Sequence, residues 1–147
     1  MTFYLRQFLS AAIIFCAVST VATASAKKPC TEEEAKQADN QNDALKTWNS
    51  VHRFYKQFSQ CDDGGVAEGV SEAVAKLLAT QWDSVGELVK LGSKDKGFED
   101  FVVRHVDETI DWDRDAPKIH ENARLHCPAN SRRLCKALVG RTTSQKK

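Results

Sequence analysis

Residues 45–78 read LKTWNSVHRFYKQFSQCDDGGVAEGVSEAVAKLL, and within them apolar side chains recur at the helical interval twice over. Leu45, Trp48, Val51, Tyr55 and Phe58 stand three and four apart, which places them on one face of a helix. Cys61-Asp62-Asp63-Gly64-Gly65 is turn chemistry and ends that helix. Beyond it Val66, Val70, Val74, Leu77 and Leu78 form a second apolar face, so the chain is expected to pack helix on helix. Gly69 weakens the second helix by about 1 kcal/mol relative to alanine, unless a close neighbour uses the missing side chain.

The helical period continues on both sides. Upstream, Thr31 precedes Glu32, Glu33 and Glu34, a hydroxyl at an N-cap followed by acids that complement the helix dipole, and Asp39 to Asp43 interrupts this short piece. Downstream, Trp82, Val85, Leu88 and Leu91 mark a helix expected to end at Gly92 as its C-cap, with Ser93 or Asp95 capping the next. That next helix uses Phe98, Phe101, Val102, Val106 and Ile110, with His105 on its flank, and Asp111 to Asp115 breaks it. Ala116-Pro117 suits the first turn of a helix carrying Ile119, Ala123 and His126 into Cys127-Pro128. A last helix holds Leu134, Cys135, Leu138 and Val139. No alternating run supports a strand. The expected fold is all-α, an irregular five- or six-helix bundle over residues 27–140, and the polar segment 141–147 is expected to be disordered.

The N-terminus reads as an export signal. Met1 to Gln7 carry one charge, Arg6; Phe8 to Val18 are apolar; Ala24-Ser25-Ala26 is a small-x-small cleavage site, so residues 1–26 are expected to be removed. The apolar run is shorter than the roughly 20 residues of a spanning helix. Ile14-Phe15 before Cys16 lacks the small residue of a lipoprotein signal, and no stable membrane anchoring is expected. The chain is thus placed in a periplasmic or secreted compartment, and the 121 residues that follow the signal suit one domain.

Cys30, Cys61, Cys127 and Cys135 remain after cleavage, an even number in an oxidising compartment, which favours two disulfides. Four cysteines allow three connectivities. The expected pairing is Cys127 to Cys135, across a short loop and about one helical turn, and Cys30 to Cys61, tying the mature N-terminus to the end of the first strong helix. No cysteine pair has zinc-ligand spacing.

Of 21 basic and 20 acidic residues only Arg6 falls in the leader, so the mature chain balances and a generic polyanion binder, including a nucleic-acid binder, is disfavoured. The balance hides a segregation. Residues 27–61 hold six basic and five acidic residues, 62–115 six and fourteen, and 116–147 eight and one. That polarity can steer a partner, or the acidic middle and basic tail can attract each other within the fold.

Candidate sites follow from the acids. Asp111, Asp113 and Asp115 alternate like the first ligands of a calcium loop, but Ala116 stands where that loop needs glycine and Asn122 where it needs a bidentate glutamate, so a solvated acidic turn is the expectation. Asp62, Asp63, Glu68 and Glu72 form a second cluster. Paired carboxylates hydrolyse glycans when one is buried, and nothing local to Glu68, Glu72 or Asp62 supplies that burial. Ser71 lacks the second glycine of a nucleophile elbow, and His105-Val106-Asp107-Glu108 reverses a zinc-protease helix without its second histidine. No catalytic residue, metal or cofactor is expected.

The stretch Cys61-Asp62-Asp63-Gly64-Gly65-Val66-Ala67-Glu68-Gly69, with Leu77-Leu78, Trp82 and Cys127-Pro128, resembles a family of small exported proteobacterial proteins of unassigned function. The layout, a small exported helical protein with disulfides, also resembles periplasmic immunity proteins that neutralise type VI secretion amidase effectors. This second likeness is one of architecture and assigns no residue. It implies a non-enzymatic binding or inhibitory module that meets a basic-surfaced hydrolase effector; the contact residues expected from the acidic turns themselves are Asp62, Asp63, Glu68, Asp107, Asp111, Asp113 and Asp115. The alternatives are a cell-wall glycan hydrolase and a small-ligand carrier lined by Trp48, Phe58, Phe98 and Phe101.

Overall fold

A computed structural model describes residues 28–144, Glu108 excepted. The expected signal peptide lies outside the described residues. Seven α-helices follow in order: α1 (Glu32–Asp39), α2 (Trp48–Phe58), α3 (Gly64–Thr80), α4 (Val85–Lys94), α5 (Lys96–Arg104), α6 (Asp115–Leu125) and α7 (Arg132–Ser144). Three short 3-10 turns, Asn42–Ala44, Ser59–Cys61 and Trp82–Ser84, join them, and no strand occurs among the described residues.

Five or six helices were expected, and the short Thr31 piece makes up the difference. Its N-terminus is closed by a capping box, the Thr31 hydroxyl accepting from the Glu34 amide at 3.2 Å while the Glu34 carboxylate accepts from the Thr31 amide at 3.1 Å. Ala38 is buried, and the Cys30–Cys61 disulfide ties the start of α1 to the end of the Ser59–Cys61 turn. The second bridge joins Cys127 to Cys135, so both expected pairings are present.

Several expected helix ends shift: α2 begins at Trp48 and leaves Leu45 before it, α5 ends at Arg104 so that Val106 and Ile110 are buried in the connection that follows, and α6 ends at Leu125, just short of His126. Helix α4 runs through Gly92 to Lys94, and Gly92 is buried facing Glu99, where packing overrides its use as a cap. Asp95 stands at the N-cap of α5, but its carboxylate turns to Lys56 at 3.2 Å and His52 at 3.4 Å. The tail expected from Arg141 is helical to Ser144, because Thr142 is buried and its hydroxyl donates to the Leu138 carbonyl at 2.9 Å while meeting His120 Nδ1 at 3.0 Å.

One core holds the helices together. Trp48, Phe54, Phe58, Phe98 and Phe101 are each at most 2 % exposed. Phe54 meets Phe58 at 5.5 Å, Tyr55 lies 5.0 Å from Phe101 and 5.7 Å from Phe98, and Trp48, Phe58, Phe98 and Phe101 all belong to the buried core. Helix α6 lies between α3 and α7 and packs against both.

Gly69 has the close neighbour that its position requires: a Cβ there would overlap the Asn42 carboxamide and come within 3.0 Å of Asn42 Cβ. Gly140 in α7 is exposed with open space around it. Substitution by alanine is therefore expected to have opposite signs. Gly140→Ala should gain about 0.5–1 kcal/mol from helix propensity, and Gly69→Ala should lose about 1 kcal/mol because overpacking outweighs that gain. Urea unfolding midpoints of the two variants check this, and a stabilised Gly69→Ala would refute the close packing.

Candidate functional site

The inward stripe of α3 leaves Glu68 and Glu72 one turn apart on its outer face. Across from them runs the α5–α6 connection, pinned by buried Ile110. Between the two lies a groove of about 690 Å³ lined by Gly65, Glu68 and Glu72 on one wall and Thr109, Asp111 and Arg114 on the other. Two acidic segments some forty residues apart in the chain thus become the two sides of one groove.

The far wall is built by short-range polar contacts. Asp111 accepts from the amides of Asp113 at 3.1 Å and Arg114 at 2.7 Å through Oδ1, an Asx-type turn, and its carbonyl accepts from the Asp115 and Ala116 amides, which starts α6. Arg114 forks onto Asp115, Nε to Oδ1 and Nη2 to Oδ2 at 3.0 Å each, and Nη1 lies 3.4 Å from Asp111. The Asp115 hydrogen bonds, and then the charges of Asp115, Asp111 and Glu72, raise the Arg114 guanidinium above its ordinary value. The single cation of the groove is therefore committed to its own wall, while Glu68, Glu72 and Asp113 carry no ion-pair partner among the described residues.

The candidate partner residues divide accordingly. Asp63, Glu68, Asp111 and Asp113 are exposed, and Asp63 also caps α3 by accepting from the Gly64 amide at 2.8 Å. Asp62, Asp107 and Asp115 face inward, contrary to the expectation for a contact surface. Asp115 is buried under the Arg114 fork. Asp107 accepts the Thr109 amide at 3.0 Å and hydroxyl at 2.7 Å through Oδ1, and the Ser71 hydroxyl at 3.2 Å through Oδ2. With Asp111 turned to backbone amides and Asp115 to Arg114, the alternating acids do not converge on one point. No group of three His, Cys, Asp or Glu among the described residues is placed to hold a metal ion.

Behind the groove wall Asp62 enters a buried array that the sequence reading missed. His105 Nδ1 lies 2.9 Å from Ser71 Oγ, and Nε2 lies 3.1 Å from Asp62 Oδ1. The Asp62–His105 pair lacks hydrogen-bond alignment, and neither atom has another hydrogen-bond partner among the described residues. Arg104 places a guanidinium 3.6 Å from Asp62 Oδ2. Burial pushes the Asp62 carboxyl up, and the His105 and Arg104 contacts outweigh it, leaving the group below its ordinary value. Aspartate, histidine and serine are the residue types of a hydrolase triad. Here Ser71 is 0 % exposed and its hydroxyl donates to Asp107, so the serine relays hydrogen bonds between α3 and the groove wall.

A signal for this array was present. Ser71 stands three before Val74 and seven before Leu78, and His105 stands seven after Phe98 and four after Phe101; both are polar residues at inward positions of apolar stripes. Comparisons with protein families, with curated proteins and with solved structures return no match for this chain.

Proposed function

We propose that this chain is an exported protein-binding module whose acidic groove receives a basic segment of a protein partner. The observation that carries the reading is the groove itself. It joins the acidic segments around Glu68–Glu72 and Asp111–Asp115, leaves Glu68 and Glu72 without an ion-pair partner among the described residues, and commits its one arginine internally. Carboxylates held at a water-exposed rim steer an oppositely charged partner and set specificity. Two disulfides fit a non-cytoplasmic compartment. No helix among the described residues is long and apolar enough to cross a membrane. Within this reading the module acts as an inhibitor of the immunity-protein kind, closing on a secreted hydrolase with a basic surface.

The test is an affinity capture with the oxidised chain of residues 27–147 from periplasmic and secreted fractions of its source, at low and moderate salt, with Glu68→Lys/Glu72→Lys as the comparison. The expected result is one stoichiometric hydrolase, inhibited on binding, lost at moderate salt and at least about tenfold weaker with the charge-reversed chain. A hydrolase held equally by both chains would exclude the groove.

A further inference from the structure

The segregation of charge along the chain survives folding. If the acidic middle and basic tail neutralised each other internally, ion pairs would cross between them. Among the described residues only Arg133 does so, reaching Glu99 at 2.9 Å and Asp100 at 3.4 Å. Lys118 and Arg124 on α6, and Arg132, Lys136 and Arg141 on α7, have no carboxylate partner among the described residues. Arg132 and Lys136 stand one turn apart on the exposed side of α7, where like charges repel. Residues 116–144 carry one acid, Glu121, which is exposed and likewise unpaired.

The molecule therefore presents an acidic groove between α3 and the α5–α6 connection and, on α6 and α7, the exposed cations Arg124, Arg132 and Lys136 without carboxylate partners among the described residues. Its net charge is only +1, so two copies do not repel as whole bodies and the attraction between unlike faces is left unopposed. The groove has the volume of a small-ligand site and opens to solvent, which gives room for long side chains presented by a neighbour.

We infer that the chain associates with itself head to tail, Arg124, Arg132 and Lys136 of one copy entering the groove of the next against Glu68 and Glu72. This rests on the groove being a protein-binding site, and it names a second copy as an occupant. The contact is heterologous, since different patches meet, so it propagates into rings or short chains. It is salt-dependent because the paired groups lie at the surface.

Sedimentation velocity of the oxidised 27–147 chain over a concentration series tests this, at low ionic strength and at high salt. Two charge reversals accompany it, Glu68→Lys/Glu72→Lys in the groove and Arg132→Glu/Lys136→Glu on α7. All four positions are exposed, and far-UV circular dichroism verifies that each variant is folded. The expected result is concentration-dependent association of the parent chain that high salt abolishes, at least about tenfold weakening in either variant alone, and recovery when the two variants are mixed. Recovery is the diagnostic outcome, because each variant then supplies the surface that the other lacks. A parent chain that stays monomeric, or a mixture that does not recover, overturns the proposal. A monomeric parent that still binds an arginine-rich peptide, and loses it in Glu68→Lys/Glu72→Lys, overturns self-association and leaves the groove reading standing. Association indifferent to both reversals, with no peptide binding, overturns both.

Discussion

Replacing Cys30 and Cys61 together by alanine is expected to lower the unfolding free energy by about 4 kcal/mol, against about 2.5 kcal/mol for Cys127 and Cys135, by loop-closure entropy. The difference follows from the separations, 31 residues against 8, because the longer loop removes more conformations from the unfolded chain. A small domain has about 5–15 kcal/mol in all, so losing the longer bridge removes a large share of it. Its loss also acts locally, since Cys61 directly precedes Asp62 and holds the turn from which that carboxylate reaches His105. Urea unfolding of the oxidised proteins measures both losses. Equal losses for the two pairs would show that loop length is not the source of the stabilisation.

Asp62→Asn is expected to cost about 3 kcal/mol at neutral pH, the scale of removing one partner from a buried ion pair. The side chains are 10 % and 4 % exposed, so little water is present to screen the loss. The cost should depend on pH with a definite sign. The Asp62 carboxyl titrates below its ordinary value in the folded chain, so its contribution is complete above the unfolded value of 3.8 and fades as pH falls through the lower folded value. The parent and Asp62→Asn chains should then converge in stability on acidification below about pH 4. Urea midpoints at neutral and acid pH read this directly. A gap that is the same at both would mean that the asparagine disrupts packing, and that the carboxylate charge contributes little.

Much of the architecture was legible because its causes are local. Leu45, Trp48, Val51 and Phe58 face the core as their spacing requires, Thr31 and Asp63 cap the helices they precede, and the cysteines pair as the loop lengths suggest. Gly92 shows where local reasoning fails. Glycine after an apolar run is a good C-cap, but here tertiary packing against Glu99 keeps it inside α4. The site divides in the same way. Glu68 and Asp113 are exposed as expected, whereas Asp62, Asp107 and Asp115, equally acidic and equally close to turns, face inward because His105, Ser71 and Arg114 meet them there.

The sequence by itself determined the class of structure, the faces of the helices and the separation of charge between the middle and the end of the chain, and it left three cysteine connectivities open, of which the fold carries the expected one. What it determined depends on spacing within a few turns of helix or on composition. Tertiary structure alone decided that Glu68–Glu72 and Asp111–Asp115 line one groove, that Asp62 is buried against His105, and that Arg133 alone among the lysines and arginines of α6 and α7 meets a carboxylate among the described residues. Those outcomes depend on which distant surfaces come into contact. A carboxylate is drawn inward or left at the rim according to whether folding brings it a cation or a donor, and no stretch of the chain carries that partner within its own span.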